Sequence, residues 1–284
     1  MSLNSPKDIL NSYGILPSKS FGQNFLINRG ILDKIVRAAD IKEDDTIVEV
    51  GPGLGVLTME LAKKAKRVIA VEKDRKMVEI LKERLKDLKN VEIIHADALK
   101  LSSINFSLPI GYKVVANLPY NVATAIIRMF LENPPLGKQP GSMTLMVQKE
   151  VGQRICAKPP EMSILSISVQ IYGKPEIISK VSAGSFWPMP KVDSAILKIT
   201  NIHNPEINTK LFFQILKAGF SQPRKQIGGN LAKGLKLNKV EVQAWLLQNN
   251  IEVDRRAETL SINAWVTLTK TFPIISNRGI ITKL

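Results

Sequence analysis

Four short apolar runs punctuate the first half of the chain, and each stops at a polar residue or a glycine. They are Thr46-Ile47-Val48-Glu49-Val50, Arg67-Val68-Ile69-Ala70-Val71, Val91-Glu92-Ile93-Ile94-His95-Ala96 and Val114-Val115-Ala116. Rich in β-branched residues and too short for helices, they read as buried strands. Between them apolar positions recur at helical spacing, as at Leu57, Leu61 and Ala62. Residues 149–157 and a stretch through 170 continue as helix, and 176–181 and 194–200 complete the strands. Such alternation predicts an α/β fold, a parallel sheet with helices on both faces. His203-Asn204-Pro205-Glu206 reads as a linker. Beyond it 211–219, 224–233, 239–248 and 260–270 have helical periodicity, so the chain divides into a large domain, 1–203, and a small helical one, 204–284. No internal repeat or low-complexity tract is visible.

The first run leads straight into Gly51-Pro52-Gly53-Leu54-Gly55. A strand, a glycine turn and a helix make a nucleotide-binding corner. The dinucleotide fingerprint would place small residues at 51, 53 and 56, but position 56 is Val, and the P-loop pattern is absent. Bare backbone of this kind lets a ligand lie against it, and suits an adenosine carrying a zwitterionic amino acid as well as a phosphate. The second run ends at Glu72, 21 residues after Gly51, where a doubly wound sheet places an acid on ribose hydroxyls. The third ends at Asp97, positioned to accept from an adenine amino group. Either acid alone reads equally well as a solvated strand end; together, in register with the turn, they point to a nucleoside site.

The fourth run ends in Asn117-Leu118-Pro119-Tyr120. An amine conjugated to a purine is a poor nucleophile, and it needs acceptors for its hydrogens while its lone pair turns to an electrophile. The Asn117 side-chain oxygen is one such acceptor. The Leu118 carbonyl is a second, because a residue before proline is pushed to an extended conformation. Tyr120 offers a flat face for the base. The same tetrapeptide also reads as an ordinary strand-exit turn.

Charge and composition narrow the partners. The formal net charge is +15, which indicates a polyanion. Residues 204–284 hold 12 Lys+Arg against 5 Asp+Glu and residues 1–203 hold 28 against 20, so charge density is greatest in the C-terminal part. Apolar content of 44% describes a globular protein. No window approaches a membrane span, no basic amphipathic helix suited to a membrane surface stands out, and residues 1–19 lack a signal-peptide core, so the cytoplasm is the expected compartment. Cys156 is the one cysteine and His95 and His203 the two histidines, which excludes an intrachain disulfide and a cysteine metal site; no metal is expected.

Taken in order, Phe21-Gly22-Gln23-Asn24-Phe25-Leu26, Val48 to Gly55, Glu72, Asp97-Ala98, Asn117 to Tyr120, Gln148-Lys149-Glu150-Val151, Phe186-Trp187-Pro188-Met189-Pro190-Lys191-Val192-Asp193-Ser194 and Arg256-Ala257-Glu258-Thr259-Leu260-Ser261 resemble the rRNA adenine N6-dimethyltransferase family, in its small-subunit KsgA (RsmA) branch. The resemblance spans nearly the whole chain. It implies a Rossmann-like class I methyltransferase sheet closed by an antiparallel hairpin, with a small helical C-terminal domain. It also implies S-adenosylmethionine as methyl donor, and two adjacent adenosines in a hairpin near the 3′ end of 16S rRNA, within the small (30S) ribosomal subunit, as acceptors. By the same resemblance Asn24 and Leu26 border the cofactor, Gly51 is its floor, Glu72 takes the ribose diol, Asp97 the adenine amine, and Asn117 lies between cofactor and target, with Tyr120 and Phe186 sandwiching the target base. Arg224 and Lys225 are the expected RNA contacts in a segment that departs from the family at Pro223 and Gly228, where basic residues are usual; Met162-Ser163 replaces a usual Tyr-Gly pair. A monomer is expected. The alternatives are a large-subunit (23S) rRNA dimethyltransferase, a DNA adenine methyltransferase, which typically carries proline where this chain has Leu118, and an RNA-binding assembly factor without catalysis.

Overall fold

The computed structural model describes residues 5–18, 22–103 and 106–273; Phe21, Met1 and the last eleven residues lie outside them. By contact the chain forms two compact units, residues up to 156 with 172–203, and residues 157–171 with those from 204 on.

The first unit contains, in order, α1 (Pro6–Ser12), β1 (Phe25–Leu26), α2 (Arg29–Ala38), β2 (Thr46–Val50), α3 (Val56–Ala62), β3 (Arg67–Glu72), α4 (Arg75–Arg84), β4 (Val91–His95), β5 (Lys113–Asn117), α5 (Ala123–Glu132), β6 (Ser142–Gln148) and α6 (Lys149–Ile155). The second unit contributes α7 (Ile164–Gln170), after which β7 (Lys174–Val181), β8 (Phe186–Trp187) and β9 (Ser194–Thr200) return to the first. Seven strands form one sheet in the order β4-β3-β2-β5-β6-β9-β7. β4 through β6 pair in parallel, whereas β9 runs antiparallel to both β6 and β7. This is the α/β sheet that the alternation predicts, with the antiparallel end that the family resemblance implies.

The apolar runs become central strands because both of their faces are covered. All five residues of β2 are buried, as are Val68 to Glu72 of β3. From β2 the chain moves outward to β3 and β4, then returns to place β5 on the other side of β2. That reversal of strand order opens a crevice at the carboxyl ends of β2 and β5, the place where sheets of this class bind ligands. Gly51 follows β2 and Asn117 ends β5, and Glu72 ends the adjacent strand β3.

The second unit holds α7 with α8 (Thr209–Gly219), α9 (Ile227–Leu235), α10 (Lys239–Gln248) and α11 (Ile262–Lys270). Two expected helices start later than their periodicity implies. The helix predicted from 224 begins at Ile227, since Gln226 is extended and 222–225 form a turn, with Lys225 N–H donating to the Gln222 carbonyl at 2.9 Å. The helix predicted from 260 begins at Ile262 behind the Ser261 cap, which accepts from Ala264 N–H. Met162 is buried, and Ser163 caps α7 in a reciprocal pair with Ser166. The residues that depart from the family there therefore start a helix.

Candidate active site

A cleft of about 210 Å3 opens at the carboxyl ends of β2 to β5. Asn24, Gly51, Glu72, Asp97, Asn117, Leu118 and Tyr120 all line it, so seven of the expected site residues, drawn from five separate chain segments, converge on one cavity.

Its floor is the turn after β2. Gly51 and Gly53 have φ of +68° and +56°, a left-handed backbone that side chains disfavour. A Cβ on Gly53 would stand 3.1 Å from the Phe25 ring, and one on Gly51 3.4 Å from Pro119. The absent side chains let Phe25 and Pro119 pack close on the turn, and Gly51 and Gly53 present bare backbone to the cleft.

Glu72 is 7% exposed and held by three backbone donors. Its Oε2 accepts from Gly53 N–H at 3.2 Å, and its Oε1 from Lys73 N–H at 2.8 Å and Asp74 N–H at 2.9 Å. Burial pushes its pKa above the ordinary carboxylate range, and the three N–H groups oppose that rise. A carboxylate so anchored keeps its remaining lone pairs for a diol. Asp97 differs. The Lys73 ammonium lies 2.8 Å from its Oδ2, and Leu99 N–H donates to its Oδ1 at 3.0 Å. Lys73 holds this carboxyl below the usual range, so Asp97 is an anionic acceptor at the cleft wall.

At the opposite wall Asn117 Nδ2 donates to the Asn24 carbonyl at 3.1 Å. Because a carbonyl can only accept, this bond fixes which end of the amide faces Asn24 and leaves Oδ1 as an acceptor. Asn24 thus acts on Asn117 through its backbone, and its own side chain donates to the Gly22 carbonyl at 3.1 Å. Leu118 N–H continues the β5–β6 ladder to the Met146 carbonyl at 3.2 Å. No donor among the described residues reaches the Leu118 carbonyl. Tyr120 is anchored through its hydroxyl, 2.6 Å from Ser194 Oγ, and burial raises its pKa, so the ring presents a neutral face.

Leu26 and Phe186 are not in this lining. They pair across the short β1–β8 ribbon and are 8% and 2% exposed, packed in the core under α2 and α3. Neighbouring residues of a strand face opposite ways, so Phe25 faces the cleft while Leu26 faces the core. Across the ribbon Trp187, not Phe186, stacks with Phe25, with ring centroids 6.5 Å apart. Arg224 and Lys225 are exposed in the turn before α9, in the second unit.

Three contributors escaped the sequence reading. Gln23 spans from Ser18 N–H to Asp74 Oδ2, at 2.8 and 2.9 Å, Lys73 pairs with Asp97, and Glu49 lies buried behind the floor. Only Glu49 left a signal, an acid in an otherwise apolar strand. Among the described residues no group of His, Cys, Asp or Glu is placed to hold a metal ion, and burial pushes the Cys156 thiol up to about 11.

The sheet order, its antiparallel end and a nucleoside-sized cleft at the strand reversal define an α/β protein of the methyltransferase class. The chain belongs to the ribosomal RNA adenine dimethylase family, whose model matches residues 17–272. It is 44% identical over 267 residues to a ribosomal RNA small subunit methyltransferase A of Dehalococcoides mccartyi, covering 92% of this chain and 90% of the relative. To the protein of the same name from Alkaliphilus metalliredigens it is 42% identical over 283 residues, covering 95% and 96%. Among solved structures it is similar to a dimethyladenosine transferase from Plasmodium falciparum (TM-score 0.74, 28% identity, 87% of this chain and 97% of that one). A 23S rRNA methyltransferase, ErmE, matches with TM-score 0.69 and 26% identity over 87% and 99%.

Proposed function

We propose that the protein transfers methyl groups from S-adenosylmethionine to the N6 amines of two adjacent adenosines near the 3′ end of 16S rRNA in the small ribosomal subunit, forming dimethyladenosine. The observation that carries this reading is the orientation of Asn117 at the end of β5, with Nδ2 tied to Asn24 and Oδ1 left as an acceptor in a cleft that also presents Glu72 and Asp97. The small-subunit methyltransferases related over nine-tenths of the chain support the choice of substrate.

The residues present fit the cofactor. Glu72 offers lone pairs for a ribose diol, Asp97 an anionic acceptor for the adenine amine, and the Gly51–Gly53 turn a floor of bare backbone. When bound, S-adenosylmethionine supplies a methyl on a sulfonium, an already activated leaving group. The protein therefore needs no strong general base; it must position and desolvate. Asn117 Oδ1 and the Leu118 carbonyl hold the two hydrogens of the target amine, turn its lone pair toward the methyl, and stabilise the positive charge that develops on nitrogen during attack. Alignment of this kind lowers barriers by up to about 7–11 kcal/mol. Tyr120 supplies the stacking face, worth about 1–3 kcal/mol per base, that keeps an extruded adenine in place. For the second transfer the amine presents one hydrogen and one methyl, so one acceptor suffices and the other position must accommodate the methyl.

The test is a comparison of undermethylated small and large ribosomal subunits as acceptors under the same conditions. Label confined to the small subunit is expected. Transfer to the large subunit instead would replace this reading with that of the 23S enzymes.

A further inference from the structure

A second, smaller cavity of about 40 Å3 shares Phe25, Gly51 and Asn117 with the main cleft and is lined on its far side by Glu49 and Met146. It is large enough for a water molecule, which needs roughly 10–15 Å3 and polar partners. Glu49 is 1% exposed, and its Oε2 has no hydrogen-bond partner among the described residues. The Thr58 hydroxyl of α3 is near enough to favour the charged form, yet it too makes no hydrogen bond of normal geometry. An unpaired carboxylate there would be costly. Burial, with the charge of Glu72, pushes the Glu49 pKa up to about 8, so the group is a neutral acid at neutral pH. Nothing in the methyl-transfer scheme uses it.

Asn117 has a complementary need. Its Nδ2 carries two hydrogens, of which Asn24 takes one. A single hydrogen bond leaves the amide plane free to rock about that contact; a second on the same nitrogen fixes the plane and the direction of Oδ1. We propose that Glu49 is a positioning residue for Asn117: a water molecule in the shared cavity accepts the second Nδ2 hydrogen and donates to the Glu49 carboxyl, locking Oδ1 toward the target amine. This rests on the reading of Asn117 as amine acceptor.

The test measures single-turnover methyl transfer to undermethylated small subunits and cofactor affinity by calorimetry for Glu49→Gln, Glu49→Leu and Asn117→Ala. Glu49→Gln keeps a polar end of the same length and should retain the transfer rate within about threefold, whereas Glu49→Leu should lower it by about ten- to a hundredfold, the scale of a small misplacement. Cofactor Kd should stay within about twofold in both, which separates positioning of Asn117 from a general loss of the floor. Should the leucine variant not fold, Glu49→Met, of matching length, carries the same comparison. A normal rate in the apolar variant, a glutamine variant as slow as the leucine one, or Kd and rate weakening together would each overturn the proposal. Asn117→Ala keeps the outcomes apart. Near-normal turnover there removes the role of Asn117 itself, while an inactive Asn117→Ala beside a fully active Glu49→Leu removes only the role of Glu49.

Discussion

Two buried acids on the neighbouring strands β2 and β3, Glu49 and Glu72, show how environment assigns different work to one residue type. Glu72 receives three backbone N–H groups and can carry charge. Glu49 receives none that its Oε2 can use and stays protonated. We expect Glu72→Ala to lose charge-assisted hydrogen bonds worth about 1.5–3 kcal/mol, weakening cofactor affinity by roughly ten- to over a hundredfold in a calorimetric titration; unchanged affinity would exclude the diol contact. For Glu49 the linkage has a definite sign. Its folded pKa, about 8, lies above the ordinary 4.5, so its contribution to stability is full below 4.5 and is lost as pH rises toward 8. Across that window the loss approaches about 1.4 kcal/mol per pH unit. Glu49→Gln should therefore flatten the decline of Tm between about pH 5 and pH 8 relative to wild type; parallel Tm curves would show that Glu49 is ionised in the folded protein.

At the scale of elements, packing in the second unit decides what the helices tolerate. In α8, a Cβ on Gly219 would stand 2.4 Å from the ring of Trp265, which is 1% exposed and stacked on Phe220. Gly219→Ala should thus destabilise this unit by about 1–3 kcal/mol through overpacking, although alanine is the better helix former; a Tm equal to or above that of wild type would contradict the packing. Periodicity made these helices visible in the sequence, and the central strands were visible as short, predominantly apolar runs. The helix starts at Ile227 and Ile262 were not, because they are set by the extended Gln226 and the Ser261 cap rather than by hydrophobic spacing. The site was legible where a residue sits at the end of a long strand, as Glu72 and Asn117 do. It was not legible on the β1–β8 ribbon, where a pairing between distant segments, Leu26 with Phe186, turns both side chains to the core and gives Phe25 the cleft. Local sequence carries no sign of that partner.

For the whole molecule, the +15 net charge and the exposed Arg224 and Lys225 suit a phosphate backbone. Gln226 bridges Arg256, and Ile227 N–H donates to the Arg255 carbonyl at 2.7 Å, so two further arginines lie beside that turn. Replacing Arg224 and Lys225 together with Ala should flatten the log–log salt dependence of RNA binding by roughly 0.7–0.9 per lost phosphate contact, and an unaltered slope would place the RNA contact elsewhere. The central claim, that this cleft directs an adenosine amine onto a sulfonium methyl through Asn117, is tested most directly by incubating undermethylated small subunits with labelled S-adenosylmethionine and either wild-type protein or Asn117→Ala, then digesting the RNA and identifying the labelled nucleoside by mass. The account predicts N6,N6-dimethyladenosine with the wild type and none with the variant, whose cofactor affinity stays within a few-fold. Label on another nucleoside, no label at all, or near-normal dimethylation by the variant would contradict it.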